Sequence, residues 1–448
     1  MLPALALLIC AALVFALLSI ERKQNPSASI ALWIPTLWML ISGSRPVGAW
    51  FSGPLRGPMT REAIEAGSVY DRIVLSALVL LALYVLYKRK VEWPPILKDN
   101  AGLVFLIIFS GLSIIWSGFP FLSIKRWIRL WGIIPVAIVI LSELNPRQAL
   151  ESIFRRCTYI LIPLSIVLIK YYPYFGRSYS PWSGREMWTG VTTTKNELGQ
   201  LCMFSIFFIF WEYLRKWRDK RFSRTRFVKY ADGLVLAIAA FLLLGFGTGG
   251  SMTSILALIV GIVSLLLMFR KKNGGRRMAS LLICGAAFTW VLFSSGGPFV
   301  EKVTNALGRD PTFTGRTELW QMLFEEGARH PLLGAGFGGY FGTPGNYYQE
   351  VTGYVSAHNG LLSVYVELGI AGVILVIAFH LGFFRRFLRE LDSAFSWGAF
   401  GVCFLVLSLL ANISESIFLS LYIWSITVLL SVVFSLPYLN IGRNESNA

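Results

Sequence analysis

Apolar residues recur along the 448-residue chain in runs of about 17 to 22, cut apart by short charged or Gly/Pro-rich pieces. A run of that length crosses the hydrocarbon core of a bilayer as a helix. Backbone in lipid must satisfy its own hydrogen bonds, which a helix does. The chain therefore reads as an all-α polytopic membrane protein. Composition agrees: 55% of residues are hydrophobic and 15% charged, against about 25% charged in a soluble domain. Soluble enzymes, secreted disulfide scaffolds and free nucleic-acid binders are excluded.

Spans are expected near 2–20, 28–43, 72–88, 100–117, 127–142, 157–172, 197–214, 231–248, 252–269, 279–295, 360–382, 396–411 and 417–437, about 12–13 transmembrane helices. The organisation read from them is transmembrane helices with short loops over 1–295, one large loop over 296–359, further helices over 360–437 and a tail over 438–448. The first run has no basic stretch before it and no small-residue cleavage site before Glu21-Arg22-Lys23, so it is expected to remain as a helix. The five cysteines fall in or beside apolar runs without metal-like spacing, so they read as packing residues.

The net charge of +17 sets orientation here and is no sign of nucleic acid. Arg215 to Lys229 carries eight basic residues and one acidic, Arg270 to Arg277 carries five basic and none acidic, and Arg385, Arg386 and Arg389 follow later. Such loops are retained on the cytoplasmic side. The large loop 296–359 then lies outside, with one amphipathic helix expected from Arg316 to Arg329 and stopped by Pro331.

Several outer segments nonetheless keep positive charge: Arg45, Arg56, Arg61 and Arg72; Lys125, Arg126 and Arg129; Arg177, Arg185 and Lys195; Arg309 and Arg316. As a set they suit an anionic ligand, since planar guanidinium groups fit phosphate oxygens. Taken singly, each is equally compatible with pairing to Glu62, Glu65, Asp71, Glu186 or Glu197, or to lipid headgroups. Of three histidines, His358 stands where the large loop re-enters the membrane, and a neutral imidazole there can take a proton from a hydroxyl. A structural role is the commoner fate of a lone histidine. Glu415, on the last outer turn, is an alternative base or a solvated turn residue. Gly334 to Gly339 is glycine-rich but follows no strand, so it reads as a flexible loop admitting a large ligand and not as a dinucleotide site.

An ordered set of motifs resembles the O-antigen ligase / O-antigen polymerase family. It comprises Trp116-Ser117 with Lys125-Arg126, Thr194-Lys195-Asn196-Glu197-Leu198-Gly199, Ser251-Met252-Thr253-Ser254, Gly315-Arg316-Thr317-Glu318-Leu319-Trp320, His330 to Gly338, His358-Asn359-Gly360-Leu361-Leu362 and Glu367 to Gly372. The Lys-Asn-x-Leu-Gly form is closer to exopolysaccharide polymerases than to lipopolysaccharide ligases. Thr194 departs from them, since many such polymerases carry a histidine there.

The resemblance implies a GT-C-type glycosyltransferase of the bacterial inner membrane, multi-pass, with its active site on the periplasmic face within the large periplasmic loop and its neighbours. The implied donor is a glycan on undecaprenyl diphosphate. The acceptor is a sugar hydroxyl, on another lipid-linked glycan for a polymerase or on lipid A–core for a ligase. No cofactor, nucleotide or metal is implied, and a polysaccharide chain-length regulator is a possible partner. Carried onto this chain, the catalytic residues are His358, Arg316 and one arginine of the loop before Asn196, Arg177 in preference to Arg185. Arg126, Arg129, Lys195, Asn196, Arg185, Asn359 and Trp188 are expected to bind substrate, although Trp188 also suits a membrane interface. A transporter or flippase of lipid-linked or anionic substrates is the alternative of another class.

Overall fold

A computed structural model describes residues 2–26, 28–51, 68–179, 184–218, 226–245, 250–270, 275–295, 316–352, 356–413, 415, 416, 418 and 421–435. The side chains of Arg226, Phe227, Phe293, Ser294, Ser295, Arg316, Thr317 and Tyr347 are outside that description. Arg56, Arg61, Glu62, Glu65, Arg309 and the expected tail 438–448 also lie outside the described residues.

The chain is an all-helical polytopic membrane protein. Its principal helices are α1 (Leu2–Gln24), α2 (Trp33–Ser42), α3 (Val69–Lys88), α4 (Trp93–Asp99), α5 (Ala101–Leu112), α6 (Pro120–Leu141), α7 (Pro146–Tyr171), α8 (Lys195–Arg218), α9 (Arg226–Leu244), α10 (Met252–Arg270), α11 (Gly275–Ser295), α12 (Arg316–Gly327), α13 (Gly360–Ser393), α14 (Phe395–Ala411) and α15 (Leu421–Val433). Among the described residues, one antiparallel hairpin interrupts the helical pattern: β1 (Arg177–Tyr179) pairs with β2 (Glu186–Trp188), Ser178 opposite Met187.

Among the described residues, α1, α3, α7, α8, α10 and α13 are long and apolar enough to cross a membrane, and Trp93–Asp99 with Ala101–Trp116 forms a seventh candidate bent by 90°. The apolar runs predict about 12–13 spans, and the difference has local causes. Run 28–43 opens with the 3-10 turn Ile30–Leu32, which leaves ten α-helical residues. Run 127–142 falls almost wholly in α6, which ends at Leu141 and whose first three turns carry Lys125, Arg126 and Arg129. Helices α14 and α15 are apolar but have only 17 and 13 residues.

Two compact units are formed, and each draws on separate stretches of chain. The first comprises 1–54, 73–91 and 134–270. Here α7 packs against α1, α2, α8 and α9, and α8 against α9 and α10. In both α7 and α8, 78% of the apolar window is buried, against 11% in α1, so these two helices form the centre. Phe154, Phe204, Phe208 and Trp211 interlock between them, with ring centroids 5.0–6.0 Å apart.

Toward one end of this unit, consecutive arginines of α7 collect carboxylates from three helices. Arg155 bonds Glu212 of α8 and Asp232 of α9, the latter at 3.0 Å, and the Tyr159 hydroxyl donates to Asp232 at 2.5 Å. Arg156 Nε reaches Glu21 of α1 at 2.8 Å, and Ser152 donates to the same carboxylate. Charges removed from water survive only when paired. Helices α1 and α8 end here while α7 and α9 begin, so the charges lie toward helix ends, close to where the basic segment 215–229 starts.

The second unit comprises 55–72, 92–133 and 271–448. Helix α13 packs on α5, α11, α12 and α14. It is two helices joined at Gly369, whose φ of 65° and ψ of −166° break the coil. Helix breaks leave orphan backbone groups, and the motif before the break supplies their partners. Ala335 N donates to Val366 O (2.9 Å) and Gly336 N to Glu367 O (2.8 Å), while Ile370 N donates to Pro331 O (2.9 Å) and Ala371 N to Leu332 O (3.1 Å). The His330–Gly336 segment is thus stitched into the break. At the far end of α13, Arg386 bonds Asp99 (2.9 Å), Asn100 (2.9 Å) and Ser431 (2.8 Å).

Candidate active site

In the second unit the motifs of the large loop converge on the start of α13. Arg316 opens helix α12, which buries Leu319 and Leu323 against Tyr348, Ala357 and Val366, with Trp320, Tyr340, Phe341 and Leu362 packed around them. Trp320 Nε1 donates to Ala357 O at 2.9 Å, fixing α12 to the residue before His358. The helix expected from Arg316 to Arg329 is therefore present as Arg316–Gly327 and is docked on the segment that carries the histidine. Burial, with a lesser contribution from Glu326, pushes the Tyr340 phenol up to about 12, so it remains a hydroxyl at neutral pH.

His358 takes a left-handed backbone conformation, φ 48°, which few non-glycine residues adopt and which clusters at functional positions. Its Nδ1 lies 3.6 Å from Oε2 of Glu415, with the two side chains 19% and 11% exposed. Asn359 caps α13: its Oδ1 accepts from Leu362 N at 3.1 Å. Its own N donates to Ser416 Oγ (3.2 Å), and Gly360 N donates to Asn412 O (3.2 Å). Gly360 has to be glycine, because a Cβ there would stand 1.8 Å from Asn412 Oδ1.

Arg126 is buried and directs its guanidinium at the glycine-rich loop. Nη1 donates to Gly338 O (2.6 Å) and Phe341 O (2.8 Å). The loop glycines serve close packing of the chain against itself: Cβ atoms at Gly336 and Gly339 would meet Ser117 at 2.7 and 2.2 Å, and one at Gly338 would meet Arg126 at 2.6 Å. Sequence reasoning took the glycines as room for a ligand and Arg126 as a phosphate binder. Carbonyls accept from a guanidinium fork as phosphate oxygens do, and in this structure the fork is aimed at loop carbonyls. Arg129, one turn further along α6, is half-buried.

The first unit positions the remaining candidates. Arg177 of β1 donates to Ile169 O (2.7 Å) and pairs with Glu186 of β2 (2.8 Å). Trp188 Nε1 donates to the same carboxylate at 3.3 Å, and its ring lies 5.5 Å from that of Phe241. Arg185, on the turn, is exposed. Lys195 and Asn196 are the first two residues of α8, whose start is closed by a capping pair. Thr194 Oγ1 accepts from Glu197 N (3.2 Å) while Glu197 Oε2 accepts from Thr193 N (3.0 Å). Gly199 touches Ser251 and Ser254, so two separate sequence motifs pack on each other.

Arg45 organises this region. It is 9% exposed and donates to Phe175 O, Gly190 O (3.1 Å) and Thr192 O (3.0 Å). Burial pulls its guanidinium down to about 10, offset in part by Glu197, so it stays cationic at neutral pH. Arg45→Lys cannot reproduce a fork shared by several carbonyls and is expected to cost about 1–3 kcal/mol. Thermal unfolding in detergent reads this, and an unchanged midpoint would contradict the carbonyl clamp.

Glu415, Ser416 and Trp320 lie beside His358 or the residues next to it, contacts that the motifs alone did not indicate. The polar run Asn412, Ser414, Glu415, Ser416 between two apolar spans was the available signal for the first two.

Comparison with known proteins bears on this second-unit site. Residues 236–377 match the family described as O-antigen ligase. This stretch is similar to that family's sequences. That region takes in Arg316, the 330–339 glycine motif, His358, Asn359 and the Gly369 break, and covers about a third of the chain. The chain is also 26% identical over 342 residues, 70% of its own length and 72% of the relative's, to the exopolysaccharide production protein ExoQ of Rhizobium meliloti (strain 1021).

Proposed function

We infer that the chain is a glycosyltransferase of the bacterial inner membrane that polymerises polysaccharide from undecaprenyl-diphosphate-linked glycan on the periplasmic face. One observation carries the reading: His358, in a left-handed conformation within the family region, stands at the start of α13 with the helix that begins at Arg316 docked on the preceding residue. The similarity to an exopolysaccharide production protein favours polymer growth. The family description favours ligation to lipid A–core, the second reading.

In the reaction, the acceptor sugar hydroxyl attacks the anomeric carbon of the donor, and the bond from that carbon to the diphosphate oxygen breaks. His358 takes the hydroxyl proton. The diphosphate departs with the bonding electron pair, and Arg316 is assigned to its developing charge, where a guanidinium stabilises the transition state more than the ground state. Arg177, Arg185, Lys195, Asn196 and Trp188 are proposed to hold donor glycan or diphosphate, and Arg129 a lipid headgroup. A transporter would use a helix break as a binding site, but here Val366 O, Glu367 O, Ile370 N and Ala371 N are all taken by residues 331–336.

Purified protein given undecaprenyl-diphosphate-linked repeat units tests the reading, with released undecaprenyl diphosphate as the signal. Arg316→Lys should lower the rate about tenfold and Arg316→Ala by about 10²–10³-fold, the scale for losing one charge-stabilising donor. Equal rates in wild type and both variants would remove Arg316 from the reaction.

A further inference from the structure

We propose that Glu415 is the positioning residue for His358: in the substrate-bound enzyme it accepts the Nδ1–H of the imidazole and leaves Nε2 as the bare nitrogen that takes the acceptor proton. The proposal rests on the glycosyltransferase reading above and names the group that sets the tautomer of its base. During transfer the hydroxyl proton passes to Nε2, the Nδ1 proton stays between His358 and Glu415, and the imidazolium formed is stabilised by the carboxylate. No other reactant is required.

Three independent features place the pair. Nδ1, not Nε2, is the imidazole nitrogen that faces the carboxylate, at 3.6 Å. That separation exceeds a hydrogen bond and is of the kind catalytic pairs show before substrate orders them.

The two chain segments that carry the pair are also latched together next to it. Asn359 N donates to Ser416 Oγ (3.2 Å), Ser363 Oγ and Ser416 Oγ lie 2.7 Å apart, and Gly360 N donates to Asn412 O (3.2 Å). Asn412 in turn uses Oδ1 to hold Phe418 N at 3.1 Å. The first three contacts tie the segment that begins at His358 to the segment that carries Glu415, and the fourth braces the Glu415 segment itself, so the two side chains are held near one another.

Finally, His358 holds a left-handed backbone conformation of the kind that persists only where the surroundings over-determine it and that clusters at active sites. Both side chains are largely shielded, and a carboxylate–imidazole interaction is stronger out of bulk water. A base role for Glu415 itself is the competing use of the same residue, and the experiment separates the two.

The chain has three histidines, His330, His358 and His380, so ¹⁵N-histidine labelling gives a resolvable spectrum in detergent micelles, with His330→Gln and His380→Asn assigning two of the signals. At mildly alkaline pH, with a lipid-linked donor bound, wild-type His358 should carry its proton on Nδ1. In Glu415→Ala it should shift toward the Nε2–H form, and Glu415→Asp should restore the wild-type pattern in part.

In parallel, Glu415→Gln should lower kcat about 10–100-fold, the scale for losing a group that orients a functional histidine, with KM nearly unchanged. Adding it to His358→Ala should cost nothing more, because groups acting as a unit are non-additive. If Glu415→Ala does not fold, Glu415→Leu, which fills the space without an acceptor, supplies the same spectrum. An unchanged His358 tautomer in every folded Glu415 variant overturns the proposal. So does a Glu415→Gln enzyme as inactive as His358→Ala, since that outcome makes Glu415 the base. Wild-type enzyme that transfers no glycan, yet shows the Nδ1–H tautomer and its loss in Glu415→Ala, would leave the pairing standing and refute the functional reading alone.

Discussion

Replacing His358 by asparagine is expected to cut glycan transfer by about 10²–10⁴-fold, the usual contribution of a positioned general base, while the protein still inserts and melts as wild type. Asparagine is the sharper variant than alanine because of the backbone. His358 sits at φ 48°, where an ordinary L-residue costs about 1–2 kcal/mol, and asparagine is among the few that tolerate it through local hydrogen bonding. A loss of activity in His358→Asn therefore reports chemistry, whereas His358→Ala mixes chemistry with local strain. Transfer at wild-type rate by His358→Asn would remove the histidine from the reaction and leave its conformation without a catalytic explanation.

The second large effect is on folding. Gly369→Val should abolish the packed second unit, lowering both the yield of folded protein and transfer together. A Cβ at Gly369 would lie 2.3 Å from Leu332 C, 2.4 Å from Leu332 O and 2.5 Å from Leu333 N, all backbone atoms that cannot swing aside. The residue also needs φ 65°, which a β-branched side chain resists. Either the helix break straightens or the 330–336 segment leaves it, and each course orphans the four backbone bonds made there. The cost should exceed about 4 kcal/mol, the range of severe core and strain mutations. Gly382 on the same helix is the control: nothing lies within 4 Å of a Cβ there, so Gly382→Ala should be neutral or slightly stabilising. Detergent-solubilised yield and thermal unfolding distinguish the two, and a wild-type melt for Gly369→Val would show that the break is dispensable.

Much of this arrangement was legible in the sequence. Long apolar runs specify helices in lipid with little ambiguity, and Pro331 with the Leu319, Met322, Leu323 spacing placed α12 to within two residues. The motifs singled out by resemblance prove to be contact partners. Ser117 and Arg126 meet the 334–342 loop, Gly199 meets Ser251, and Gly334 meets Glu367 and Leu368.

Other features were hidden for physical reasons. The hairpin 177–188 has strands of three residues, too short for an alternating pattern. The break at Gly369 falls inside a continuous apolar run, and only the approach of a distant loop reveals it. Guanidinium groups aimed at carbonyls look in sequence like guanidinium groups awaiting phosphate, so the loop contacts of Arg45 and Arg126 were not legible there. The Arg155 and Arg156 cluster escaped because its carboxylates come from three different helices, each near an end. Glu415 read as either an alternative base or a solvated turn, because its neighbour in space, His358, is 57 residues away.

The most direct test of the functional reading uses the purified protein with undecaprenyl-diphosphate-linked repeat units as the sole glycan, and gel separation of the lipid-linked products. A ladder of progressively longer chains, absent from His358→Asn protein of equal yield, is the predicted result. A single unextended species with folded wild-type protein, converted to product only when lipid A–core is supplied, would contradict polymerisation.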